Sequence, residues 1–509
     1  MNILSVEFIL QFGESCDIFL EIAGGLFLVG KPVGKIGSVF LKIDFFAFDG
    51  KESFGFHIVF ATNNTNITNI TNQMKILTFF FATLLTSAVF AQPKLEPTRI
   101  SLKNGKSFTL KLAEGFEMIP ALEGLKRVRF FAKAPDGRIF VTDMYNLADG
   151  SRGTVYILDG WNGKTGKFTR AIPYMQNLRN PNSVQFYKDA NGQEWFYLAE
   201  THQLTRRKFT RGETKPTDTK PQVLATFPDY GLSYKYGGWH LTRTISFSPD
   251  NKLYVSVGSS CNACVEKEKV RASIISMNPD GTDQKEFAKG LRNAVGVRAI
   301  GKFVFATNQG SDHLGLQKPD ETFYALKEGA DYGWPYCHSS EGKIFADPKF
   351  KRPGQCSNVT APYAHFPARS SALGFDYFDD ADADETIKNA FLVSLHGSTN
   401  KRIGHGYKVV IMRKGEKLQD FLTGFLQGSI VWGRPCDTMK LDANSFLLTD
   451  DFTGVVYLIR KKGTTTTIAE TETQPDEPIA EAKPQTEEKT RSCLGMVVLF
   501  TGVILRAIL

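Results

Sequence analysis

The feature that most constrains the fold is a short unit that recurs at wide intervals along the chain. An Asp-centred turn leads into a strand of alternating aromatic and aliphatic residues, and the strand ends in small or acidic residues. The unit reads APDGRIFVTD at 134–143, SPDNKLYVSVG at 248–258 and LDANSFLLTDD at 441–451. Asp-Gly and Asp-Asn pairs tolerate the left-handed backbone of a tight turn, so each unit predicts a β-hairpin.

Residues 95–462 keep a β pattern throughout, with short apolar strands between Gly, Pro, Asn and Asp turns and little helical periodicity. Degenerate hairpin units spread over this span predict an all-β fold, a six-bladed β-propeller. The blade number follows from about 60 residues per four-stranded blade with its loops. A pair of large β-sandwiches is the alternative. A propeller gathers the loops of every blade around one end of its channel, so residues distant in sequence can meet there.

The chain ahead of the propeller contains a segment typical of a secretory signal peptide. Residues 74–91, MKILTFFFATLLTSAVFA, have a Met, a Lys, an apolar run and small residues at the cleavage-specifying positions. We therefore expect cleavage before Gln92 and an exported protein, periplasmic or secreted. Since signal peptides act at an N-terminus, Met74 is the expected natural start. Residues 1–73 are then a mis-assigned extension, the alternative being a small N-terminal domain.

The chain after the propeller changes composition twice. Residues 463–491 are rich in Thr, Glu and Pro and predict a disordered linker. Residues 493–509, CLGMVVLFTGVILRAIL, are apolar but carry Arg506 and are short for a membrane span. This segment is either a weak C-terminal membrane anchor or a frame-shifted or truncated tail, and membrane contact is expected only through it.

Composition and missing motifs exclude several classes of function. The chain of 509 residues is 42% hydrophobic, enough for a large core, and its net charge of +8 is spread thinly. No stretch rich in Lys and Arg is interleaved with aromatics, so nucleic-acid binding is not expected. The chain has no G-x-S-x-G elbow, no phosphate loop and no strand–G-x-G-x-x-G–helix unit, the signatures of serine hydrolases, nucleotide hydrolases and nicotinamide enzymes.

The seven cysteines include two natural local pairs. Cys261 with Cys264 and Cys337 with Cys356 would form disulfides in an oxidising compartment. A C-x-x-C pair could also be half of a metal site, although no second pair or His cluster at zinc spacing accompanies it. A haem site is excluded because Val265 follows Cys264.

His240 is the strongest candidate for catalysis. It lies in GGWHLTRTISFSPDNKLYVSVGSSCNAC, 237–264, ahead of a predicted hairpin. Imidazole is the side chain best suited to take a proton near neutral pH, although a lone histidine can also be a packed residue. In GLRNAVG, Arg292 offers a planar charged group suited to carboxylates, and Asn293 can donate and accept. The alternative for this second segment is a surface turn.

A third segment, ATNQGSDHLG at 306–315, combines amides, a carboxylate and a glycine. Asn308, Gln309 and Asp312 lie beside Gly310, which allows the backbone to approach a ligand closely. Backbone carbonyls and a carboxylate suit a hard cation such as calcium. An Asx-rich β-turn is the alternative.

Four more segments carry polar or aromatic groups in predicted loops. Residues 328–337 give an aromatic surface around Trp334 that could stack a planar cofactor or a sugar, or pack in the core. His396 and Arg402 lie between two strands, and Arg434 follows a Trp-Gly pair. The Asp450–Asp451 pair is more typical of a turn cap than of an acid pair.

These segments, in this order, resemble the glucose/sorbosone dehydrogenase family, most closely its sorbosone-dehydrogenase-like branch. The family comprises secreted six-bladed propellers that use pyrroloquinoline quinone (PQQ). The resemblance runs from about residue 100 to 460. It rests on 237–264, GLRNAVG, DYGWPYC, HGSTN…GYKVV, WGRP and TDDFTG.

The resemblance implies roles for individual residues. His240 matches the general base, which takes the hydroxyl proton as hydride passes to the quinone. Arg292 matches the arginine that stabilises charge at the quinone carbonyls, with Asn293 its polar neighbour. Calcium would bind through backbone carbonyls at Gly310 and Ser311, beside Asp312. The cofactor-contacting set comprises Arg292, Asn293, Asn308, Gln309, Trp334, Arg369, Arg402 and Arg434.

The sequence departs from the family pattern at several of these positions. Thr399 replaces a Trp, Lys401 replaces an Arg, and Arg369 stands where relatives often have His. Leu316 and Gln317 replace acidic residues. These departures leave open the exact cofactor contacts and the substrate range, and loss of activity is an alternative.

The expected function is that of a quinoprotein oxidising an aldose-type sugar or polyol, with PQQ and Ca²⁺ as cofactors. Electrons would leave through an external acceptor, because the chain has no haem motif. One alternative is a non-catalytic propeller that binds carbohydrate or protein. Another is a calcium-dependent lactonase-type propeller, which needs carboxylate and Asn ligands lining the central channel.

Overall fold

The chain forms two compact units, Met1–Phe90 and Ala91–Leu509. The computed structural model describes the backbone of five strands before residue 62, and residues 92–228, 239–351, 354 and 356–468. The predicted signal peptide at 74–91, the linker from 469 onward and the tail at 493–509 lie outside the described residues.

The first unit contains one antiparallel sheet in the order β3-β2-β1-β4-β5. Its strands are β1 (Leu4–Phe12), β2 (Ile18–Ile22), β3 (Gly25–Gly30), β4 (Ser38–Phe48) and β5 (Lys51–Ala61).

The described residues of the second unit form six sheets of at least four strands each, which we number as blades 1–6, and two further two-stranded sheets. Three strands precede them, namely β6 (Leu95–Ser101), β7 (Ser107–Ala113) and β8 (Phe116–Leu122). Blade 1 has β9 (Val128–Lys133), β10 (Ile139–Asp143), β11 (Gly153–Asp159) and β12 (Arg170–Leu178). Blade 2 has β13 (Ser183–Lys188), β14 (Glu194–Ala199), β15 (Gln203–Lys208) and β16 (Gln222–Thr226). Blade 3 has β17 (Ile245–Phe247), β18 (Leu253–Val257), β19 (Ser273–Met277) and β20 (Lys285–Lys289).

The later blades contain longer insertions. Blade 4 has β21 (Val297–Ile300), β22 (Phe303–Asn308), β23 (Glu321–Ala325) and β27 (Ala364–Phe366). Between the last two lie β24 (Ala330–Asp331), which joins blade 3, and the hairpin β25 (Cys337–Ser340) and β26 (Lys343–Ala346). Blade 5 has β28 (Ala372–Phe378), β29 (Ala390–Leu395), β30 (Lys408–Met412) and β31 (Gln419–Thr423). The hairpin β32 (Leu426–Gln427) and β33 (Ile430–Val431) leads to blade 6, which has β34 (Pro435–Asp442), β35 (Ser445–Asp450) and β36 (Val455–Lys461).

The ring of blades is closed by pairing of the two ends of the propeller chain. Strand β8 supplies the fourth strand of blade 6, with Leu458 opposite Ile119, and β6–β7 extend blade 5. The first strand of each blade contacts the first strand of the next, and β34 contacts β9. The predicted six-bladed β-propeller is confirmed, and the sandwich alternative is wrong.

The three recurring units have the predicted structure. Each Asp-centred turn joins the first strand of a blade to the second, in blades 1, 3 and 6, with φ of +86° at Gly137 and +60° at Asn251. In blades 1 and 6, a threonine near the end of the second strand tethers its blade to the next, whereas the unit of blade 3 has Ser256 there. Thr142 Oγ1 donates to Asn182 O at 2.8 Å, and Thr449 Oγ1 donates to Arg129 O at 2.7 Å. Small hydroxyl residues recur there because the two blades approach closely.

The channel is filled beneath the loops at one end. Phe130, Val295, Leu373 and Cys436, which lie on or just before the innermost strands of four blades, form one buried apolar cluster. Burial raises the pKa of the Cys436 thiol, so this free cysteine stays protonated. The cluster forms an apolar floor, and the polar loops lie above it.

The chain stays in contact with blade 1 beyond β36. Trp161 Nε1 donates to Thr466 O at 2.9 Å, and Ile468 is buried in the cluster that includes Phe168. Residues 463–468, assigned to the linker from composition, therefore pack on the propeller because an apolar side chain ends this stretch. Within the described part of the chain, no helix is long and apolar enough to cross a membrane.

Candidate functional site

A cavity of about 420 Å³ opens at the end of the channel where first strands begin and second strands end. Antiparallel neighbours bring these two kinds of strand end to the same side, so every blade can contribute. His240 precedes β17, Arg292 precedes β21 and Arg434 precedes β34. The polar side chains of the lining are Arg129, His240, Thr242, Arg292, Asn293, Gln309, Asp312, Glu321, Arg369, Ser371, His396, Ser398, Thr399 and Arg434.

His240 is held by the segment that follows β18. Its Nδ1 lies 2.9 Å from Ser259 O. A carbonyl only accepts hydrogen bonds, so Nδ1 carries the proton and Nε2 is left as the proton acceptor. Burial, reinforced by nearby Arg292, holds the pKa of His240 well below its usual range, so the ring is neutral at pH 7. The imidazole therefore has the protonation state of a general base.

The backbone around His240 is tightly constrained. His240 has φ of +45°, in the left-handed region that is unfavourable for a side chain with a Cβ. A Cβ on Gly258 would lie 2.5 Å from His240 Cβ and 2.6 Å from Asn293 Oδ1. Only glycine at 258 therefore leaves room for the histidine and the asparagine together.

Arg292 is positioned by the loop that the Cys261–Cys264 disulfide closes. Its Nε donates to Asn262 O at 2.8 Å and its Nη2 to Asn262 Oδ1 at 3.1 Å. The side chain is buried, yet no carboxylate among the described residues lies within ion-pair distance, and burial lowers its pKa to about 10. A buried guanidinium without a counter-ion is costly unless an anion binds beside it.

Asn293 links two predicted segments. Its Nδ2 donates to Gln309 Oε1 at 2.8 Å, and its backbone N–H donates to Asn308 Oδ1 at 3.0 Å. Asn293 and Gln309 line the cavity, whereas Asn308 is buried beneath them and is absent from the lining. Asn308 therefore orients Asn293 instead of facing a ligand in the cavity.

Arg369 occupies the oxygens predicted to bind calcium. Its Nη1 donates to Ser311 O at 2.7 Å and to Asp312 Oδ1 at 2.5 Å. Its Nη2 donates to Gly315 O, and at 3.3 Å to Lys318 O. A calcium ion would need the same oxygens at about 2.3–2.6 Å, where the guanidinium already stands. The residues at Gly310, Ser311 and Asp312 therefore do not fit a calcium site in this arrangement.

A second histidine of the lining belongs to a buried charge cluster. His396 Nε2 lies 2.6 Å from Asp451 Oδ1, and Asp451 Oδ2 is 2.8 Å from Arg129 Nη1 and 3.2 Å from Arg127 Nη1. Despite the carboxylate, burial lowers the pKa of His396 to about 4, while the histidine and the two arginines hold that of Asp451 far below its usual range.

The two neighbouring aspartates therefore have different roles. Asp450 caps the turn after β35, accepting from the N–H groups of Phe452 at 3.0 Å and Thr453 at 3.2 Å. The turn-cap interpretation is confirmed for Asp450 but wrong for Asp451, whose carboxylate is the anion of the charge cluster.

Arg434 lies between this cluster and the cavity. Its Nε donates to His396 O at 3.1 Å, and its Nη2 donates to Gly397 O. Among the described residues it has no ion-pair partner. Burial lowers the pKa of Arg434, and the negative charge of nearby Asp451 partly offsets this shift. Arg434 therefore presents a second positive group that an anionic ligand can neutralise.

The structure brings together most of the residues predicted to contact a cofactor. Arg292, Asn293, Gln309, Arg369 and Arg434 line the cavity, as do Gly310 and Asp312 of the predicted metal site. Four predicted residues are absent from this lining. Asn308, Ser311 and Trp334 line a small adjoining cavity that shares Arg292, Gln309 and Gly310 with the first, and Arg402 is exposed on a turn.

Trp334, predicted to stack a ligand, lies outside the lining of the larger cavity. Its Nε1 donates to Ser311 Oγ at 2.9 Å, which fixes the loop that contains Asp312. The aromatic ring on the cavity wall is that of Trp239, whose centroid lies 6.0 Å from the Arg292 guanidinium.

Two charged residues of the lining, Arg129 and Glu321, were not predicted from the sequence. Arg129 interrupts the apolar strand β9, and Glu321 begins β23 next to Asp320, so a buried charge in a strand was the available signal. Glu321 accepts from Gly310 N at 3.2 Å and Arg369 N at 3.1 Å, and burial raises its pKa to about 7.

Both predicted disulfides are present, Cys261–Cys264 and Cys337–Cys356. Cys261, Cys264 and Glu266 also form a cluster compatible with a metal, but the disulfide uses both sulfurs.

The charges of the cavity lining fit an anionic group such as PQQ. Arg292 and Arg434 lack carboxylate partners among the described residues, and both face the cavity beside Arg129 and Arg369. The cofactor carboxylates would supply the missing anions, and paired arginine donors suit carboxylate geometry.

Comparisons with known proteins support the fold. Two Trichoderma reesei structures, an iodide and a calcium structure of carbohydrate-active enzymes family AA12, superpose with TM-scores of 0.56 and 0.55. They are 17% and 18% identical and cover 69% of this chain and 97% of each of theirs. A Borreliella burgdorferi protein described as uncharacterized is 24% identical over 369 residues, 69% of this chain and 90% of its own.

A family model described as TrAA12-like matches residues 110–421, which run from β7 to β31 and include most of the cavity lining. The matched span exceeds half of the chain, and the chain belongs to the TrAA12-like family.

Proposed function

We propose that this protein is an exported quinoprotein oxidoreductase that oxidises an aldose-type sugar or polyol, with PQQ bound in the cavity. The two disulfides agree with export to an oxidising compartment. The Trichoderma reesei structures are those of a carbohydrate-active enzyme family, which agrees with a sugar substrate. The finer assignment to the glucose/sorbosone dehydrogenase family rests on the motifs, and its sorbosone branch stays a prediction.

The observation that carries the proposal is the pairing of a neutral, oriented imidazole with a buried arginine that lacks a counter-ion. His240 and Arg292 are both held by the segment 259–262, through Ser259 and Asn262. Ser259 lies just before the Cys261–Cys264 disulfide and Asn262 lies inside the loop that it closes, so one short segment orients both side chains.

The residues of the chain would act in three ways. Arg292 and Arg434 would bind the carboxylates or carbonyl oxygens of the cofactor, and Asn293 would hold the cofactor in place beside Arg292. His240 Nε2 would take the proton of the substrate hydroxyl, since Nδ1 stays bonded to Ser259 O. Bound PQQ would supply the two-electron oxidation chemistry, with an external electron acceptor.

The structure does not favour the lactonase-type alternative. That chemistry needs carboxylate ligands in the channel, and the carboxylates of the lining are Asp312 and Glu321. Both are hydrogen-bonded by Arg369, one through its side chain and the other through its backbone. A non-catalytic carbohydrate- or protein-binding propeller is distinguished from an enzyme by the following experiment.

The test is a PQQ titration followed by dye reduction with aldoses and polyols, on the purified protein. We expect saturable PQQ uptake and sugar-dependent dye reduction. His240→Ala and the size-preserving His240→Asn should take up PQQ as the wild type does but lose turnover by about 10²–10⁴-fold, the usual contribution of a general base. His365→Ala, at a half-exposed histidine outside the lining, is the control and should keep full turnover.

Two outcomes would contradict the proposal at different levels. Turnover of His240→Ala near that of the control removes His240 as the base. Absence of PQQ uptake by the wild-type protein under all conditions removes the quinoprotein assignment and leaves the binding propeller.

A further inference from the structure

Arg369 holds one loop through several oxygens at once. It lies in the turn before β28, with φ of +68°, and its side chain is 7% exposed. The guanidinium reaches the carbonyls of Ser311, Gly315 and Lys318 and the carboxylate of Asp312, all within residues 310–318, which we name the acceptor loop.

Such a set of converging oxygens is what a hard cation needs. Calcium binds carbonyl and carboxylate oxygens from a short, bent loop, and its charge holds the loop closed. In this protein a permanently charged guanidinium takes that place, with several donors in a fixed planar arrangement. Arg369 and a divalent ion exclude each other, because both need Ser311 O and Asp312 Oδ1 and both are positive.

The position of Arg369 also serves the cavity. Arg369 lines the same cavity as Arg292. Burial lowers the pKa of Arg292, and the positive charge of Arg369 lowers it further. Asp312 links the two arginines through the disulfide loop, the loop closed by Cys261–Cys264. Its backbone N–H donates to Asn262 Oδ1 at 2.8 Å, and Asn262 holds Arg292. The acceptor loop, the disulfide loop and both arginines thus form one connected unit.

We propose that Arg369 is a built-in replacement for the divalent cation of this site, so that the cavity binds its cofactor without calcium. The part of this inference that concerns PQQ rests on the proposed function; the part that concerns calcium does not. Arg369 is a positioning residue that closes the acceptor loop and adds positive charge to the cofactor side of the cavity.

The first experiment measures Ca²⁺ binding to the cofactor-free, full-length protein by calorimetry after treatment with EGTA. We expect no Ca²⁺ binding by the wild type at millimolar Ca²⁺. Arg369→Ser removes the guanidinium and should create one Ca²⁺ site that the added change Asp312→Asn abolishes. Arg369→Lys keeps a cation and should bind no Ca²⁺, and Arg170→Gln, at an exposed arginine, is the matched control.

Either of two results overturns the proposal. One is a wild-type protein that binds Ca²⁺ stoichiometrically and loses it with Asp312→Asn. The other is folded Arg369→Ser protein, shown by an unchanged circular dichroism spectrum, that still binds no Ca²⁺, because the acceptor loop would then not be a cation site.

The second experiment titrates PQQ by equilibrium dialysis in EGTA and in CaCl₂. The wild type should bind with affinities that agree within about twofold. Arg369→Ser should bind at least about tenfold more weakly in EGTA, a loss of about 1.4 kcal/mol, and recover in CaCl₂. PQQ uptake by the wild type only in CaCl₂ would refute the inference. Lack of uptake in both buffers would refute the proposed function instead and leave the calorimetry to decide on Arg369.

Discussion

Asp451 is expected to be the most stabilising carboxylate near the site, and Asp451→Asn tests this. The substitution keeps the size of the side chain but removes the charge that faces Arg129, Arg127 and His396. Arg129 is only 4% exposed, so it would keep a buried charge with no other carboxylate within ion-pair distance among the described residues. Breaking a buried pair in this way costs about 3–5 kcal/mol.

The magnitude translates into a measurable melting shift. With an unfolding entropy of about 2.1 cal/mol/K per residue over roughly 370 residues of propeller, 3–5 kcal/mol corresponds to a fall in Tm of about 4–6 °C. Differential scanning calorimetry at pH 7 measures it. The control is Asp379→Asn, which removes an exposed partner of Lys440 at 3.0 Å and should change the free energy of unfolding by less than about 1 kcal/mol.

The pH dependence gives a second, independent readout. Because the pKa of Asp451 is lowered in the folded protein, its contribution is fully present above the ordinary carboxyl pKa of about 3.9 and is lost as the pH falls below it. The Tm difference between wild type and Asp451→Asn should therefore be constant from pH 7 to pH 5 and shrink below pH 4. If Asp451→Asn lowered the free energy of unfolding at pH 7 by less than about 1 kcal/mol, as expected for the control Asp379→Asn, the reasoning would be refuted.

Two further predictions concern the cavity wall. Gly258→Ala places a Cβ 2.5 Å from His240 Cβ, so it should destabilise the folded protein by about 1–3 kcal/mol and weaken PQQ binding. Gly150→Ala is the control, because a Cβ there has no atom within 4 Å, and it should do neither. Equal PQQ titrations and melting curves for the two variants would contradict this prediction. Burial raises the pKa of Glu321 from 4.5 to about 7, so the protonated form stabilises the fold below pH 4.5, and this stability is lost as the pH rises through 7. Glu321→Gln should remove this pH-dependent loss of stability, which is on the order of 3 kcal/mol. Parallel plots of Tm against pH for the wild type and Glu321→Gln would show that Glu321 does not titrate in this range.

The fold could be predicted from the sequence because its information is local and repeated. The Asp-centred turns fix the hairpins at 134–138 and 248–252 through backbone conformations that few residues tolerate. Closure was not predictable in the same way. Strand β8 pairs with β36 across more than three hundred residues, and no local pattern in FEMIPAL marks it as the last strand of blade 6.

The site was predictable where function requires a rare residue type in a loop and not where it depends on packing. His240, Arg292 and Arg434 stand among glycines in loops, which made them conspicuous. Trp334 and Asn308 stand in equally conspicuous loops, yet their side chains turn inward to hold other loops. The direction in which a loop side chain points is set by contacts with residues of other blades, and these contacts leave no local sequence pattern.

The same limit explains why Arg369 changes the interpretation of the predicted metal site. The segment 306–315 alone has the composition of a calcium loop, and nothing within it argues against a bound ion. The competing cation comes from more than fifty residues later in the chain and reaches the loop only because blades 4 and 5 are adjacent. Charge balance therefore has to be judged for the assembled cavity. Arg129 is paired with Asp451 and Arg369 with Asp312, whereas Arg292 and Arg434 have no ion-pair partner among the described residues, so the lining has positive charge available for an anionic ligand.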